Sequence, residues 1–239
     1  VEARTPRPEA ILLDVGGTLL REDAYDLAAG IRALDPRSDP RPLTRELEES
    51  IDRVHRTNSA EFTLADWLAA NRAAFRKRGS LLDLELAVWR RSVRMQPMPE
   101  ARETLRSLAR RGVALGCISN AVFSGPVLRF ELDRHGLGTS LRLVISSADL
   151  GIRKPDPGIF AAGLAGLGVR SSSAWFVGDS WDADVRGAAA AGLFPVWLCA
   201  DARPPQPGID HGRIASWGEL SDLVNASLRG EPASDPPER

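Results

Sequence analysis

The sequence predicts an α/β fold, a doubly wound parallel sheet with a small all-helical insertion, on three observations. Five short apolar runs, 10–15, 113–118, 141–146, 174–177 and 194–199, read as strands buried on both faces. Helical patterns stand between successive runs, and strands that alternate with helices imply parallel pairing. Residues 21–97 break the alternation with amphipathic helices and no evident strand. A chain of 239 residues accommodates one sizeable core plus an accessory unit of this kind.

The elements follow in order. The first run leads into Asp14-Val15-Gly16-Gly17-Thr18. In the insertion, Leu43, Leu47, Ile51 and Val54 recur at helical spacing. Leu64, Trp67, Leu68 and Phe75 make a second face behind the N-cap candidate Thr63, and Leu82, Leu86, Trp89 and Val93 a third behind Ser80 or Asp83. An all-helical cap is therefore expected over 21–97, hinged near 20–23 and 96–99, with the core in 1–20 and 98–228. Pro99 and Glu100 open a helix that presents Leu105, Leu108 and Ala109 and closes at Gly112. The next, 125–135, carries Leu128 and Leu132 with Gly136 as its C-cap; 159–167 carries Phe160, Leu164 and Leu167. A last helix, 217–228, offers Leu220, Leu223, Val224 and Leu228, and the polar, proline-rich 229–239 is expected to be a disordered tail.

The net charge of −1 provides no field for nucleic acid or a membrane surface, so neither partner is expected. Arginine dominates the basic side chains, which makes the two lysines, Lys77 and Lys154, informative. Cys117 and Cys199 sit inside apolar runs and read as reduced core residues. No apolar stretch approaches the ~20 residues of a membrane helix and no signal-peptide pattern opens the chain, so a cytoplasmic protein is expected. The first residues lack an initiator Met and read as processed or trimmed. His55, His135 and His211 are scattered and read as structural or surface residues. The oligomeric state is not legible.

In a doubly wound sheet, ligands bind beyond the carboxyl ends of the strands. Asp14 follows the first run, Ser119-Asn120 the second, Lys154 lies in a loop past the third, and Gly178-Asp179-Ser180 with Asp182 and Asp184 follows the fourth. Each alone has an ordinary reading: a turn residue, a solvated loop charge, or acids at a helix N-terminus. Four such features on one rim, in this order, point to one site.

These motifs resemble those of the haloacid dehalogenase-like hydrolases. The resemblance rests on Asp14-Val15-Gly16-Gly17-Thr18-Leu19, Ile118-Ser119-Asn120, Arg153-Lys154-Pro155-Asp156 and Val177-Gly178-Asp179-Ser180-Trp181-Asp182-Ala183-Asp184, across roughly residues 10–200. It implies a Rossmann-like core with a helical cap and Asp14 as nucleophile, forming an aspartyl-phosphate from a small phosphorylated substrate. Lys154 would offset the charge between phosphate and Asp14, and Ser119, Asn120 and Lys154 would hold the phosphoryl group. Asp14, the Gly16 carbonyl, Asp179 and Asp184 would bind Mg²⁺.

The chain departs from the family at Gly16, where phosphatases place a second Asp that protonates the leaving alcohol and later activates water. Glu22 and Asp23 are the nearest substitutes in sequence. The departure leaves open a catalytically weak or inactive binding or regulatory protein. Dehalogenases also lack an Asp here, but as a class they lack the metal-binding acids that this chain retains in Asp179 and Asp184. Phosphonate cleavage would need a cap lysine, and Lys77 lies in Arg76-Lys77-Arg78, a solvated helix end. Basic and acidic residues nearly balance in the cap and select no substrate.

Overall fold

The computed structural model describes residues 6–57, 60–201 and 208–229. In chain order it begins with β1 (Ala10–Leu13) and β2 (Leu20–Tyr25). Helices α1 (Leu27–Arg32), α2 (Arg41–Thr57), α3 (Leu64–Ala70) and α4 (Leu81–Ser92) follow, and β3 (Val93–Pro97) returns the chain to the core. Then come α5 (Ala101–Arg110), β4 (Ala114–Ser119), α6 (Gly125–Arg134), β5 (Leu143–Ser146), α7 (Ser147–Leu150) and α8 (Pro157–Leu167). The chain continues with β6 (Ala174–Gly178), a π-helical turn (Trp181–Arg186), α9 (Gly187–Ala190), β7 (Phe194–Leu198), β8 (Gly212–Ile214) and α10 (Trp217–Arg229).

Six strands form one parallel sheet in the order β5-β4-β1-β6-β7-β8. The five runs read from the sequence are all present, with ends that differ by one or two residues: three are shorter, β4 is shifted by one and β6 is one residue longer. The sixth, β8, was not expected, because three residues carry too little pattern to register. Strand side chains alternate between faces. Ile11 and Leu13 of β1 accordingly join Leu105, Trp175, Trp217 and Leu220 on one face, while Ala10 and Leu12 join Ile159, Phe160 and Phe176 on the other. Leu12 is fully buried in the central strand. Leu12→Ala should therefore lower the unfolding free energy by about 2–5 kcal/mol, read from urea denaturation; a loss under about 1 kcal/mol would mean that the site collapses.

The expectation of an all-helical insertion is corrected at its two ends. β2 and β3 pair antiparallel from Leu20 opposite Pro97 to Tyr25 opposite Val93, with a register shift between Glu22 and Ala24. β2 is exposed beyond Leu20 and shows no apolar alternation, whereas β3 alternates Val93, Met95 and Pro97 with exposed Arg94 and Gln96 over only five residues, directly after a helix; backbone pairing across a long sequence separation completes them. Two helical faces also differ from expectation. Ser80 and Asp83 form a reciprocal capping box on α4, as the N-cap reading anticipated, yet α4 buries Leu84, Glu85, Val88, Trp89 and Ser92 and leaves Leu82 exposed. Phe75 lies beyond α3, after a 3₁₀ turn (Arg72–Ala74), and still packs its ring 6.0 Å from Trp67. α1 was not foreseen, and α5 starts at Ala101, with Glu100 ahead of it at φ 62°.

The apolar cluster of the insertion does not stop at its boundary. Trp67, Leu84, Val88 and Trp89 are continuous with Phe123, Val127 and Leu128 of the core. The Trp89 indole also donates to Glu131 Oε2 at 2.8 Å and meets Phe123 edge-on at 4.9 Å. No helix among the described residues is long and apolar enough to cross a membrane. The tail read as disordered lies outside the described residues beyond Arg229, which closes α10.

Candidate active site

Asp14 stands just past β1, and its N–H still bonds the Val177 carbonyl of β6 at 2.9 Å. The central strand thus delivers a carboxylate to the rim where the winding of the sheet reverses, the position at which such sheets open a crevice. Lys154 comes to it from the loop between α7 and α8. Its ammonium lies 2.6 Å from Asp14 Oδ1 and 2.7 Å from Asp184 Oδ1, and the residue is only 3% exposed.

Asn120 holds this lysine by its backbone. The amide Nδ2 donates to the Lys154 carbonyl at 2.9 Å and Oδ1 accepts the Lys154 N–H at 2.8 Å. The Asn120 side chain thus fixes the Lys154 backbone, which leaves the backbone N–H of Asn120 for a phosphoryl group. Ser119 ends β4, buried, in register with Ser146.

Asp184 sits on the π-helical turn after β6. Its Oδ2 accepts the Ser180 N–H at 2.9 Å while Oδ1 takes the lysine. A Cβ at Gly178 would overlap Asp184, so glycine is required for the turn to fold back there. Gly17, at φ +79°, makes the corresponding approach to Asp179. The Asp179 carbonyl accepts the Trp197 indole N–H at 3.0 Å, a contact hidden from the sequence because Trp197 reads only as part of an apolar run. Asp182 points outward and pairs with Arg186 on the surface.

The electrostatics follow from burial. Desolvation raises the Asp14 carboxyl from 3.8 to about 7; Lys154 opposes this, and repulsion from Asp184 and Asp179 adds to it. Burial works against the Lys154 ammonium, but Asp14 and Asp184 outweigh it and hold the lysine above its ordinary value. Asp179 is raised by burial and then by Asp184. Burial likewise pushes the Cys117 thiol up, consistent with a core residue.

Asp14, Asp179 and Asp184 offer carboxylate oxygens that all lie within 4.8 Å of one another. Three crowded, partly desolvated carboxylates with one ammonium among them fit a hard, oxygen-seeking divalent cation, and the set contains no sulfur or imidazole donor.

Gly16 is exposed, and a Cβ built there meets nothing within 4 Å. Glu22 and Asp23 are exposed on β2, around its register shift. Lys77 is exposed and its backbone N–H bonds the Leu34 carbonyl, away from the motifs. His55 and His135 meet Glu61 and Glu131, and His211 packs on Trp181, so the histidines stay apart.

Residues 8–192 match the family model for haloacid dehalogenase-like hydrolases. A phosphoserine phosphatase from Thermus thermophilus is 38% identical over 125 residues, covering 52% of this chain and 49% of that protein. A ribulose-1,5-bisphosphate 5-phosphatase from Halopiger xanaduensis is 34% identical over 158 residues, 62% of this chain and 65% of that one. The chain thus spans about half to two-thirds of the length of these relatives. Among solved structures, a HAD phosphatase from Thermococcus onnurineus superposes with a TM-score of 0.61 at 24% identity, over 93% of this chain and 99% of that one. A 2-haloacid dehalogenase from Pseudomonas syringae pv. Tomato DC3000 does so with 0.67 at 22%, over 92% and 99%. At these identities the two structures establish the fold. The family model covers most of the chain and includes all four motifs, and the protein belongs to the haloacid dehalogenase-like hydrolases.

Proposed function

We propose that this protein is a magnesium-dependent phosphohydrolase that transfers a phosphoryl group from a small phosphorylated metabolite to Asp14. The observation that carries the reading is the buried Lys154 ammonium shared by Asp14 and Asp184, with Asp179 beside them. A nucleophilic carboxylate must meet a phosphate dianion, and Lys154 is the fixed cation that offsets their repulsion. The relatives named as phosphatases of phosphoserine and of ribulose-1,5-bisphosphate support a small phosphorylated substrate.

In this reading an Asp14 oxygen bonds to phosphorus as the bond to the leaving oxygen breaks, and water then cleaves the aspartyl-phosphate. Ser119 and backbone N–H groups after β4 hold the phosphoryl oxygens. Asp14, Asp179, Asp184 and the Gly16 carbonyl hold Mg²⁺, which when bound supplies positive charge against the phosphoryl oxygens. The segment 21–97 acts as a cap over this rim. A panel of phosphorylated metabolites assayed with Mg²⁺ and with EDTA tests the proposal; turnover that is indifferent to EDTA, or none on any member, defeats it.

One observation favours a second reading. At position 16, where the family's phosphatases carry an acid, this chain has none, which suits a weak enzyme or a binding module. Metal binding serves both readings and has its own test. Mg²⁺ at 100 times its Kd should stabilise the fold by about 2.7 kcal/mol through mass action, seen as a raised thermal midpoint. Asp179→Asn should remove most of that shift. A wild type that ignores Mg²⁺, even with beryllium fluoride present, would refute the metal assignment.

A further inference from the structure

The insertion meets the core at a buried carboxylate that belongs to none of the motifs. The Glu61 side chain is 1% exposed. Its Oε1 accepts the Phe62 N–H at 2.9 Å and lies 2.8 Å from His55 Nε2, both within the insertion. Its Oε2 faces the core, where it accepts the Ser147 hydroxyl at 2.6 Å and lies 3.7 Å from Arg153 Nε. The backbone joins in: the Glu61 N–H donates to the Gly151 carbonyl at 3.0 Å, and the Leu64 N–H to the Val122 carbonyl at 2.9 Å. An acid is rarely enclosed this fully unless partners surround it.

Ser147 has a single hydroxyl proton. With that proton directed at Glu61, its oxygen accepts the Ala121 N–H at 2.9 Å. Ala121 follows Ser119 and Asn120 directly, and Asn120 grips the Lys154 backbone on both sides. Arg153, the other core partner of Glu61, precedes Lys154 in the chain. Two short routes therefore run from one carboxylate of the insertion to the loop after β4 and to the lysine.

We propose that Glu61 is a positioning residue that sets the phosphate-binding end of the site, the Ser119–Asn120 loop and Lys154, only while the insertion is seated. This rests on the phosphohydrolase reading above. The insertion has other fastenings: Glu85 accepts both the N–H and the hydroxyl of Ser124, at 3.0 and 2.7 Å, at the far end of the same loop, and Trp89 bonds Glu131 on α6, away from the site. Removing Glu61 leaves those in place, so its loss misplaces the loop without detaching the insertion. Freed from Glu61, the Ser147 hydroxyl can turn to the Ala121 carbonyl, 3.3 Å away, and Arg153 is left without its carboxylate.

The test is inorganic phosphate binding to the full chain in Mg²⁺ buffer, by titration calorimetry, which does not depend on turnover. Glu61→Ala and Ser147→Ala should each weaken phosphate about tenfold, the factor associated with one hydrogen bond to a charged group. The double variant should be little worse than either single one, because both break the same route. Glu61→Gln can offer its one oxygen to the Ser147 hydroxyl only with its NH₂ turned toward the Phe62 N–H, so its affinity should fall between wild type and Glu61→Ala. The Mg²⁺-induced rise in midpoint should be the same in all of them. Trp89→Phe breaks the fastening to α6 and should leave phosphate affinity unchanged; a loss as large as that of Glu61→Ala would reduce Glu61 to a structural contact and overturn the proposal. Should Glu61→Ala fail to fold, Ser147→Ala decides alone. Wild-type affinity in Ser147→Ala overturns the proposal, whereas a wild type that binds no phosphate removes the phosphohydrolase reading and this inference with it.

Discussion

Asp14→Asn should abolish phosphomonoester turnover, by a factor on the order of 10⁴–10⁶, and should also make the metal-free protein more stable at pH 8. The first effect follows because an amide neither attacks phosphorus nor forms an aspartyl-phosphate. The second follows from the electrostatics of the cluster. Burial, with repulsion from Asp184 and Asp179, raises the Asp14 carboxyl from 3.8 to about 7 despite Lys154. Between those values the folded protein retains a proton that the unfolded chain has released. Stability is therefore lost as pH rises from about 4 to about 7, and the penalty persists above that range. Asn carries no charge and escapes the penalty, while Lys154 keeps Asp184 at 2.7 Å, so no buried ammonium is stranded. Thermal midpoints in EDTA should nearly coincide at pH 4 and separate in favour of the variant by pH 8. Retained activity would refute the covalent mechanism. A lower midpoint at pH 8 would show that the Lys154 pairing outweighs the burial of Asp14.

Where burial writes a pattern, the sequence revealed the fold. Ala10, Ile11, Leu12 and Leu13 are all fully buried, and an unbroken apolar run of that length, followed by a lone Asp, has few other readings. The same logic placed Asp179 and Lys154 on one rim. What escaped notice depends on contacts between distant residues. β2 is an exposed strand whose only signal is its pairing with β3, and the alternation in β3 is five residues long and runs on from a helical face. The grip of the Asn120 side chain on the backbone of a residue 34 positions later likewise leaves no local pattern. Glu61 appeared as one acid among many in a balanced cap; only the fold brings Ser147, 86 residues on, to its side. Asp184 was legible as an acid of the metal motif, but its bond to Lys154 was not, since the loop that carries the lysine leaves no periodic trace.

Gly16→Asp should raise turnover of alkyl phosphates by about 10²–10⁴, the usual contribution of a positioned acid/base. The wild type should hydrolyse nitrophenyl phosphate far better than sugar phosphates, because a nitrophenolate departs without a proton and an alkoxide does not. Its second step lacks a base as well, so aspartyl-phosphate should accumulate on Asp14 and be visible by mass spectrometry. The backbone accommodates the new side chain: Gly16 is exposed, a Cβ there meets nothing within 4 Å, and its φ lies outside the left-handed region. A new carboxyl that turned toward Asp14, Asp179 and Asp184 would be disfavoured as an anion by those three, which favours the proton-donating form. The gain should be confined to poor leaving groups; nitrophenyl phosphate turnover should change little in its first step. If the wild type already turns over alkyl phosphates near ~10 s⁻¹, another residue supplies the proton, and Glu22→Gln and Asp23→Asn become the variants that locate it. If Gly16→Asp helps neither substrate class while Mg²⁺ still binds, the missing acid is not what limits this protein, and the binding-module reading prevails.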